Sequence, residues 1–141
     1  MSTRAHIELI DRHDHSDRRC NSLVVRLYHH FDGYPRWMGP ELKCKVGEAR
    51  RILEELRNPF WWDAERVGAL LVALSTNQEG YGPMPTFQPT CVWHADTDYL
   101  WCVYLGPDPW EYSIECFRIE EGETREEAKM TAVDWKKEAG L

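Results

Sequence analysis

Six histidine and aspartate side chains stand in two short segments beside predicted strands, and their types suit the binding of a metal or another ligand. They are His29, His30, Asp32, His94, Asp96 and Asp98. The first three follow one strand, and the last three share a side-chain direction where the chain is extended. Imidazole nitrogens and carboxylate oxygens are common ligands of divalent metals. The two segments predict a joint site if the end of the second strand lies beside the start of the third.

A structural role is the competing explanation. His29 and His30 are successive in a strand and point to opposite faces, so both cannot bind one metal unless the strand ends between them. Polar side chains at strand ends commonly serve as hydrogen-bond caps. The spacing matches no established ligand pattern, and the sequence holds no phosphate-binding loop, nucleophile elbow or His-Glu-x-x-His motif. We therefore predict no catalytic residue and no cofactor, with a divalent metal as the alternative.

Five aromatic side chains in predicted junctions, loops and turns form a second group of candidates. They are Trp61, Trp62, Tyr81, Phe87 and Trp110. Aromatic residues are enriched at interaction hot spots. Packing against the core is the alternative for the pair at the helix junction and for the loop over residues 77–90. The sequence thus predicts that these rings bind a partner wherever they are exposed.

The charge balance limits the class of partner. The 141 residues include 24 acidic and 17 basic side chains, for a net charge of −7. This charge repels phosphate backbones and suits a protein partner with a basic surface. The five cysteines form no Cys-x-x-Cys pair, which favours a reducing compartment. No stretch approaches the roughly 20 apolar residues of a membrane span, so we expect a cytoplasmic protein with no membrane partner.

Hydrophobic periodicity predicts a single α+β domain over residues 1–141, in which a small antiparallel sheet of two hairpins packs with about three helices in the order ββααββα. The predicted strands cover 4–10, 23–29, 99–105 and 112–119. The predicted helices run from Gly39-Pro40 to Leu56, from Asp63 to Leu74, and from a capping box at Thr124 to Gly140. The charged residues 11–19 are expected to form an exposed hairpin loop, and residues 77–90 an irregular loop.

Two motifs carry a resemblance to a protein family. The chain opens Met1-Ser-Thr-Arg4, and Tyr28-His-His-Phe-Asp-Gly-Tyr-Pro35 follows downstream. These segments resemble a family of small phage and prophage proteins that begin Met-Ala/Ser-Thr-Arg and carry a Tyr-x-His-aromatic-Asp-Gly-Tyr-Pro motif. The segment Asp96 to Trp101 resembles an acidic-Tyr-x-aromatic strand near the end of those proteins. The resemblance implies an origin in a mobile element and brings no established catalytic residue with it.

Three functional hypotheses follow. The first is a non-enzymatic phage accessory protein that inhibits a host or defence protein, for example as an anti-CRISPR-type inhibitor, through an acidic surface with exposed aromatic rings. The alternative is a small metal-dependent enzyme or nucleotide-binding protein that uses the histidine and aspartate residues. The third is an assembly protein that associates with copies of itself.

Overall fold

The fold is known from a computed structural model, which describes residues 3–15, 18–30, 32–56, 64–77, 84–106 and 111–141. Within these residues, the strands are β1 (Ala5–His15), β2 (Arg18–His29), β3 (Thr76–Asn77), β4 (Met84–Pro85), β5 (Phe87–Pro89), β6 (Tyr99–Leu105), β7 (Tyr112–Glu121) and β8 (Lys129–Val133). The helices are α1 (Pro35–Glu55), α2 (Ala64–Leu74) and α3 (Trp135–Glu138). None of these helices combines the length and the apolar character that crossing a membrane requires.

Six strands form one sheet in the order β5-β2-β1-β6-β7-β8, and β3 pairs with β4 in a separate ribbon. All neighbours in the large sheet are antiparallel except β1 and β6, which are parallel. The prediction of an α+β fold is confirmed. The prediction of only two hairpins in the order ββααββα is wrong, because β5 and β8 add a strand at each edge and the two hairpins join through β1 and β6.

The helices cover one face of the sheet and bury the core there. Ala5, Ile7 and Leu9 alternate along β1 and are all fully buried in the same cluster as the apolar residues of α1 and α2. The intervening His6 and Glu8 point to the opposite face, which we call the outer face of the sheet. They are buried as well. The outer face is therefore also covered, although the helices lie on the other side.

Helix α1 begins four residues before the predicted start. Pro35 occupies the first turn, where its missing N–H costs nothing, and the Met38 amide donates to the Tyr34 carbonyl at 2.9 Å. Pro40 then lies inside the helix rather than at its start. The predicted end at Leu56 agrees with the structure, and Asn58-Pro59 lies outside the described residues. The predicted second helix is confirmed over Ala64–Leu74.

The predicted C-terminal helix from Thr124 is wrong. The Glu127 amide does donate to the Thr124 hydroxyl at 3.2 Å, so the local capping contact forms. The helix does not continue, because Lys129–Val133 pairs with β7 as an edge strand. Helix α3 begins only at Trp135, whose indole packs against α1 at Gly39. The backbone hydrogen bonds of the sheet have replaced those of a longer helix.

Two other expectations also fail. Most of residues 11–19 belongs to β1 and β2 rather than to a loop, since the pairing continues to His15 and Arg18. The start of β6 does not lie beside the end of β2, because β6 pairs in parallel with β1 along Ala5 to Asp11. The predicted strands at 99–105 and 112–119 are confirmed, and β6 is a central strand covered on both faces.

Candidate functional site

Four aromatic and imidazole rings form two stacks side by side on the outer face. His6 and Tyr28 are direct cross-strand neighbours on β1 and β2. The successive residues Trp93 and His94 lie over them. The Trp93 and His6 rings stack with centroids 4.4 Å apart, and the His94 and Tyr28 rings stack at 3.9 Å. The loop between β5 and β6 is thus fixed to the sheet by residues that are adjacent in the chain.

A hydrogen bond fixes the tautomer of His6, and burial determines its protonation state. Its Nε2 accepts from the backbone N–H of His94 at 3.3 Å, which requires that any proton of the neutral ring sits on Nδ1. Burial lowers the pKa of His6 to about 3, and the neighbouring His94 and Arg26 act in the same direction. The backbone of Val92 and the Asp96 carboxylate oppose this pKa shift without cancelling it. His6 is therefore a neutral acceptor near pH 7.

The carboxylates of the second predicted segment bind groups of this chain. The Tyr28 hydroxyl donates to Asp96 Oδ1 at 3.3 Å, and Arg4 Nη1 donates to Asp96 Oδ2 at 2.7 Å. The backbone N–H of Arg4 donates to Asp98 Oδ2 at 3.0 Å. Burial, and then the charge of Asp96, raise the pKa of Tyr28. The structure thus brings Asp96 and His94 together around one tyrosine, while Asp98 fixes the start of β1.

The first predicted segment is divided between the two faces of the sheet. His29 is buried against Phe87, with ring centroids 5.1 Å apart, and lies 5.7 Å from Trp37. His30 meets the edge of Tyr28 at 4.5 Å and contacts Gln88. Their opposite directions are as predicted.

Asp32 is exposed and has a positive φ of 53°. Among the described residues, no group of three or more His, Cys, Asp or Glu side chains is placed to hold a metal ion. The described residues therefore do not form the joint metal site. The expectation of no cofactor stays a prediction.

One of the five predicted aromatic candidates, Phe87, lies within the described residues. Phe87 is 1% exposed and belongs to the core, so it presents no binding surface. The other four, Trp61, Trp62, Tyr81 and Trp110, lie outside the described residues. Sequence reasoning missed two exposed rings at the start of α1, Tyr34 at 37% and Trp37 at 38% exposure. With α1 starting at Pro35, the helical periodicity predicts the exposure of Trp37, because this residue lies off the buried stripe that contains Met38 and Leu42.

A buried carboxylate with two arginines is the other feature that sequence reasoning missed. Glu8 Oε2 accepts from Arg26 Nε at 3.1 Å and from Arg26 Nη2 at 2.9 Å. Glu8 Oε1 accepts from Arg125 Nε at 3.3 Å. Both guanidinium groups also lie within 6 Å of the centre of the Trp93 ring, at 5.6 and 5.9 Å. Nothing local in the sequence indicates that Glu8 and Arg125 meet, because 117 positions separate them.

No protein-family model, curated protein or solved structure matches this chain. The resemblance to small phage proteins therefore rests on the sequence motifs alone and stays a prediction. The motif residues have clear local roles. Gly33 lies so close to Ala5 that a Cβ at that position would be 2.6 Å from the alanine methyl, and the Gly33 carbonyl accepts from the Trp101 indole at 3.0 Å. The motif thus joins the end of β2 to the centre of the sheet.

Carboxylates gather at the end of the sheet where β2 and β7 stop and β1 and β6 begin, which we call the acidic end. Backbone hydrogen bonds from Asp98 to Arg4 and from Ile119 to Asp98 bring the segments together there. The end of β7 and its connection to β8 carry five exposed glutamates: Glu120, Glu121, Glu123, Glu126 and Glu127. The one cation within residues 120–127, Arg125, turns inward to Glu8. The arrangement therefore presents negative charge to solvent.

Proposed function

We propose that this chain is a phage or prophage accessory protein that binds and inhibits a host or defence protein in the host cytoplasm without doing chemistry itself. The observation that carries the proposal is the acidic end, where five exposed glutamates at the end of β7 and in its connection to β8 lie at the same end of the sheet as the exposed aromatic rings at the start of α1. The partner has a basic surface that this end covers.

The charges at the acidic end are only partly neutralised within the chain. Asp96 is paired with Arg4, and Glu121 is paired with Lys129. Asp32, Asp98 and the remaining glutamates of the connection are exposed. Surface carboxylates of this kind contribute little to the stability of a fold, but they accelerate association with a basic partner. Their concentration at one end is what binding to a basic surface would use.

Exposed aromatic rings supply the second element of a protein interface. Helix α1 starts at the acidic end, and it presents Tyr34 and Trp37 there. Tyrosine and tryptophan are enriched among the residues that dominate binding energies, because they bury a large area with few rotatable bonds. Arg36 lies between them and is exposed, so the patch is not uniformly acidic. The combination supports a protein partner rather than a small cation.

The cluster of His94, Asp96 and Tyr28 gives less support to the alternative of a metal-dependent enzyme or nucleotide-binding protein. Its two predicted ligands are engaged within the chain: Asp96 with Tyr28 and Arg4, and the His94 ring with Thr90 at 3.3 Å. A ligand would have to displace these contacts. We keep this alternative as an outcome of the test below.

The test is capture of the partner from the lysate of a natural host at low and high salt, followed by identification by mass spectrometry and titration of the purified pair. We expect one stoichiometric protein whose association weakens with salt and whose activity is inhibited. The triple variant Glu120→Gln, Glu123→Gln, Glu126→Gln should weaken binding by about tenfold or more. It changes the net charge from −7 to −4, by removal of three of the 24 carboxylates.

A matched control removes three carboxylates elsewhere. Glu48→Gln, Glu54→Gln, Glu55→Gln gives the same net charge of −4 by changes on the second half of α1, away from the acidic end. It should bind nearly as well as the wild type. Equal weakening by both triple variants would reject the acidic end as the interface. Capture of no protein, together with metal or nucleotide bound to the bait, would favour the alternative.

A further inference from the structure

Residues 122–128 cross the outer face as a compact turn, which we call the strap. Its two ends touch. Gly122 has a φ of 135°, and a Cβ at this position would be 2.4 Å from the Cα of Ala128. A hydrogen bond from the Glu127 amide to the Thr124 hydroxyl closes the turn internally. The strap is thus a closed unit joined to β7 and β8 at one point.

One side chain fastens the strap to the sheet among the contacts of the described residues. Arg125 Nε donates to Glu8 Oε1 at 3.3 Å, and its guanidinium lies 5.9 Å from the centre of the Trp93 ring. The Glu8 side chain is 3% exposed, whereas that of Arg125 is 34% exposed. The contact therefore joins a partly solvated cation to a buried anion on β1.

The fold can lose this contact without leaving Glu8 unpaired. Arg26 donates two N–H groups to the other oxygen of Glu8, and its side chain is 14% exposed. A buried carboxylate that keeps two hydrogen bonds from one arginine keeps a partner for its negative charge. Opening of the strap is therefore compatible with an intact sheet.

A buried cysteine lies next to the residue that holds the strap. Cys102 is the neighbour of Glu8 across the β1–β6 pair and is 3% exposed on the outer face. Arg125 lies near this cysteine, because its guanidinium group contacts Glu8. Burial, as the largest cause, raises the pKa of Cys102 to about 12. The thiol is thus shielded from solvent in the structure in which Arg125 contacts Glu8.

We propose that the strap is a releasable cover of the outer face, fastened by Arg125 on Glu8, and that its opening exposes Cys102 and Trp93 while the rest of the domain stays folded. This inference does not depend on the partner-binding proposal, because it concerns the free chain.

The test uses two cysteines that are buried among the described residues, Cys102 and Cys116, as probes. Cys116 is 2% exposed in the core on the helix side of the sheet and reports global unfolding. The purified chain is treated with a thiol reagent in time-resolved pulses, and each cysteine is quantified by peptide mass spectrometry. In Arg125→Ala we expect Cys102 to react about tenfold faster than in the wild type, from the loss of one charge-assisted hydrogen bond and one cation–π contact. The rate at Cys116 should not change.

Ionisation cannot produce this result. Arg125 lowers the pKa of the Cys102 thiol, so its removal alone would make the thiolate rarer and the reaction slower. Faster labelling of Cys102 therefore reports exposure. Arg51→Ala serves as the matched control, since Arg51 is an exposed arginine in an ion pair with Glu55 on α1. It should leave both rates unchanged.

Two further variants keep the test decisive. Arg125→Lys retains the charge and should restore part of the protection of Cys102. Arg125→Met removes the same charge and donors but keeps an unbranched side chain of similar length, and it should also speed the labelling of Cys102, even if Arg125→Ala folds poorly. An unchanged Cys102 rate in both Arg125→Ala and Arg125→Met would overturn the proposal. So would a parallel rise at Cys116, because the event would then be global unfolding.

Discussion

The imidazole of His94 lies nearly flat on the phenol ring of Tyr28, with centroids 3.9 Å apart and an angle of 20° between the planes. This contact joins the loop before β6 to β2, two segments that are not hydrogen-bonded neighbours at this point. The tyrosine is 2% exposed and its hydroxyl reaches Asp96. The stacked ring, rather than the hydroxyl, carries most of the buried area.

Substitution of Tyr28 separates the two contributions. Tyr28→Phe keeps the stack and loses only a 3.3 Å hydrogen bond to an exposed carboxylate, so it should cost less than about 1 kcal/mol. Tyr28→Ala removes the ring and should cost about 3–5 kcal/mol. Urea denaturation gives both free energies of unfolding. If the two variants are equally unstable, the bond to Asp96 dominates.

His6 makes the stability of the domain depend on pH. Its pKa is about 3 in the folded chain and about 6.5 when unfolded, so the unfolded chain binds more protons between these values. Stability from this group is therefore complete above about pH 6.5, falls as the pH drops, and levels off below about pH 3. Between pH 7 and pH 5 the loss should be about 2 kcal/mol.

The comparison of wild type with His6→Gln checks this prediction. Glutamine can still accept the His94 N–H but does not titrate in this range. Denaturation of both proteins at pH 5 and pH 7 isolates the contribution of His6 from that of other groups. The difference between the two pH values should be about 2 kcal/mol smaller in the variant. An equal pH dependence would show that the pKa of His6 does not change on folding.

Two glycines of α1 should respond in opposite ways to alanine. A Cβ at Gly39 would lie 2.2 Å from the Trp135 ring, so Gly39→Ala must displace α3 and should cost about 1–3 kcal/mol. A Cβ at Gly47 meets only the Tyr112 hydroxyl at 3.3 Å, and Gly47→Ala should be neutral or stabilise by up to about 1 kcal/mol. Thermal unfolding of both variants decides the matter. Stabilisation by Gly39→Ala would show that Trp135 does not pack there.

Adjacent arginines provide another matched pair. Arg50 is 1% exposed and donates to the carbonyls of Glu111 and Gly106, both at 2.8 Å, which joins the residue before β7 to the residue after β6. Arg50→Met should cost about 2–4 kcal/mol, because both carbonyls lose a charged donor. Arg51→Met removes an exposed ion pair and should cost less than about 0.5 kcal/mol. Similar free energies for the two would contradict this role of Arg50.

Local signals predicted the elements whose contacts are local. The alternation in β1 and β2, the apolar run of β6 and the stripe of α2 led to correct strands and a correct helix. The sequence signal at Thr124 was also real, since its capping contact forms, but pairing of Lys129–Val133 with β7 replaced the helix. Long-range pairing could not be inferred from such signals, and the parallel contact of β1 with β6 was missed for that reason.

The candidate site shows the same division. The sequence singled out His94 and Asp96 by type and spacing, and they do converge, though on Tyr28 rather than on a common metal ligand set in the described residues. His6 and Glu8 alternate with Ala5, Ile7 and Leu9, a pattern that is typical of a strand with one face in solvent. They are buried because Trp93 and Arg125, distant in sequence, cover them.

The parallel pair at the centre of the sheet also constrains how the chain is made. Ala5 pairs with Tyr99, so a ribosome must add 94 residues after the first strand position before its central partner exists. Until then β1 has one partner, β2, and one bare edge, and such edges are prone to pair with other chains. A nascent or truncated chain that ends after α2 would therefore carry β1 half-paired. Synthesis of β6, rather than closure of the first hairpin, commits this protein to its fold.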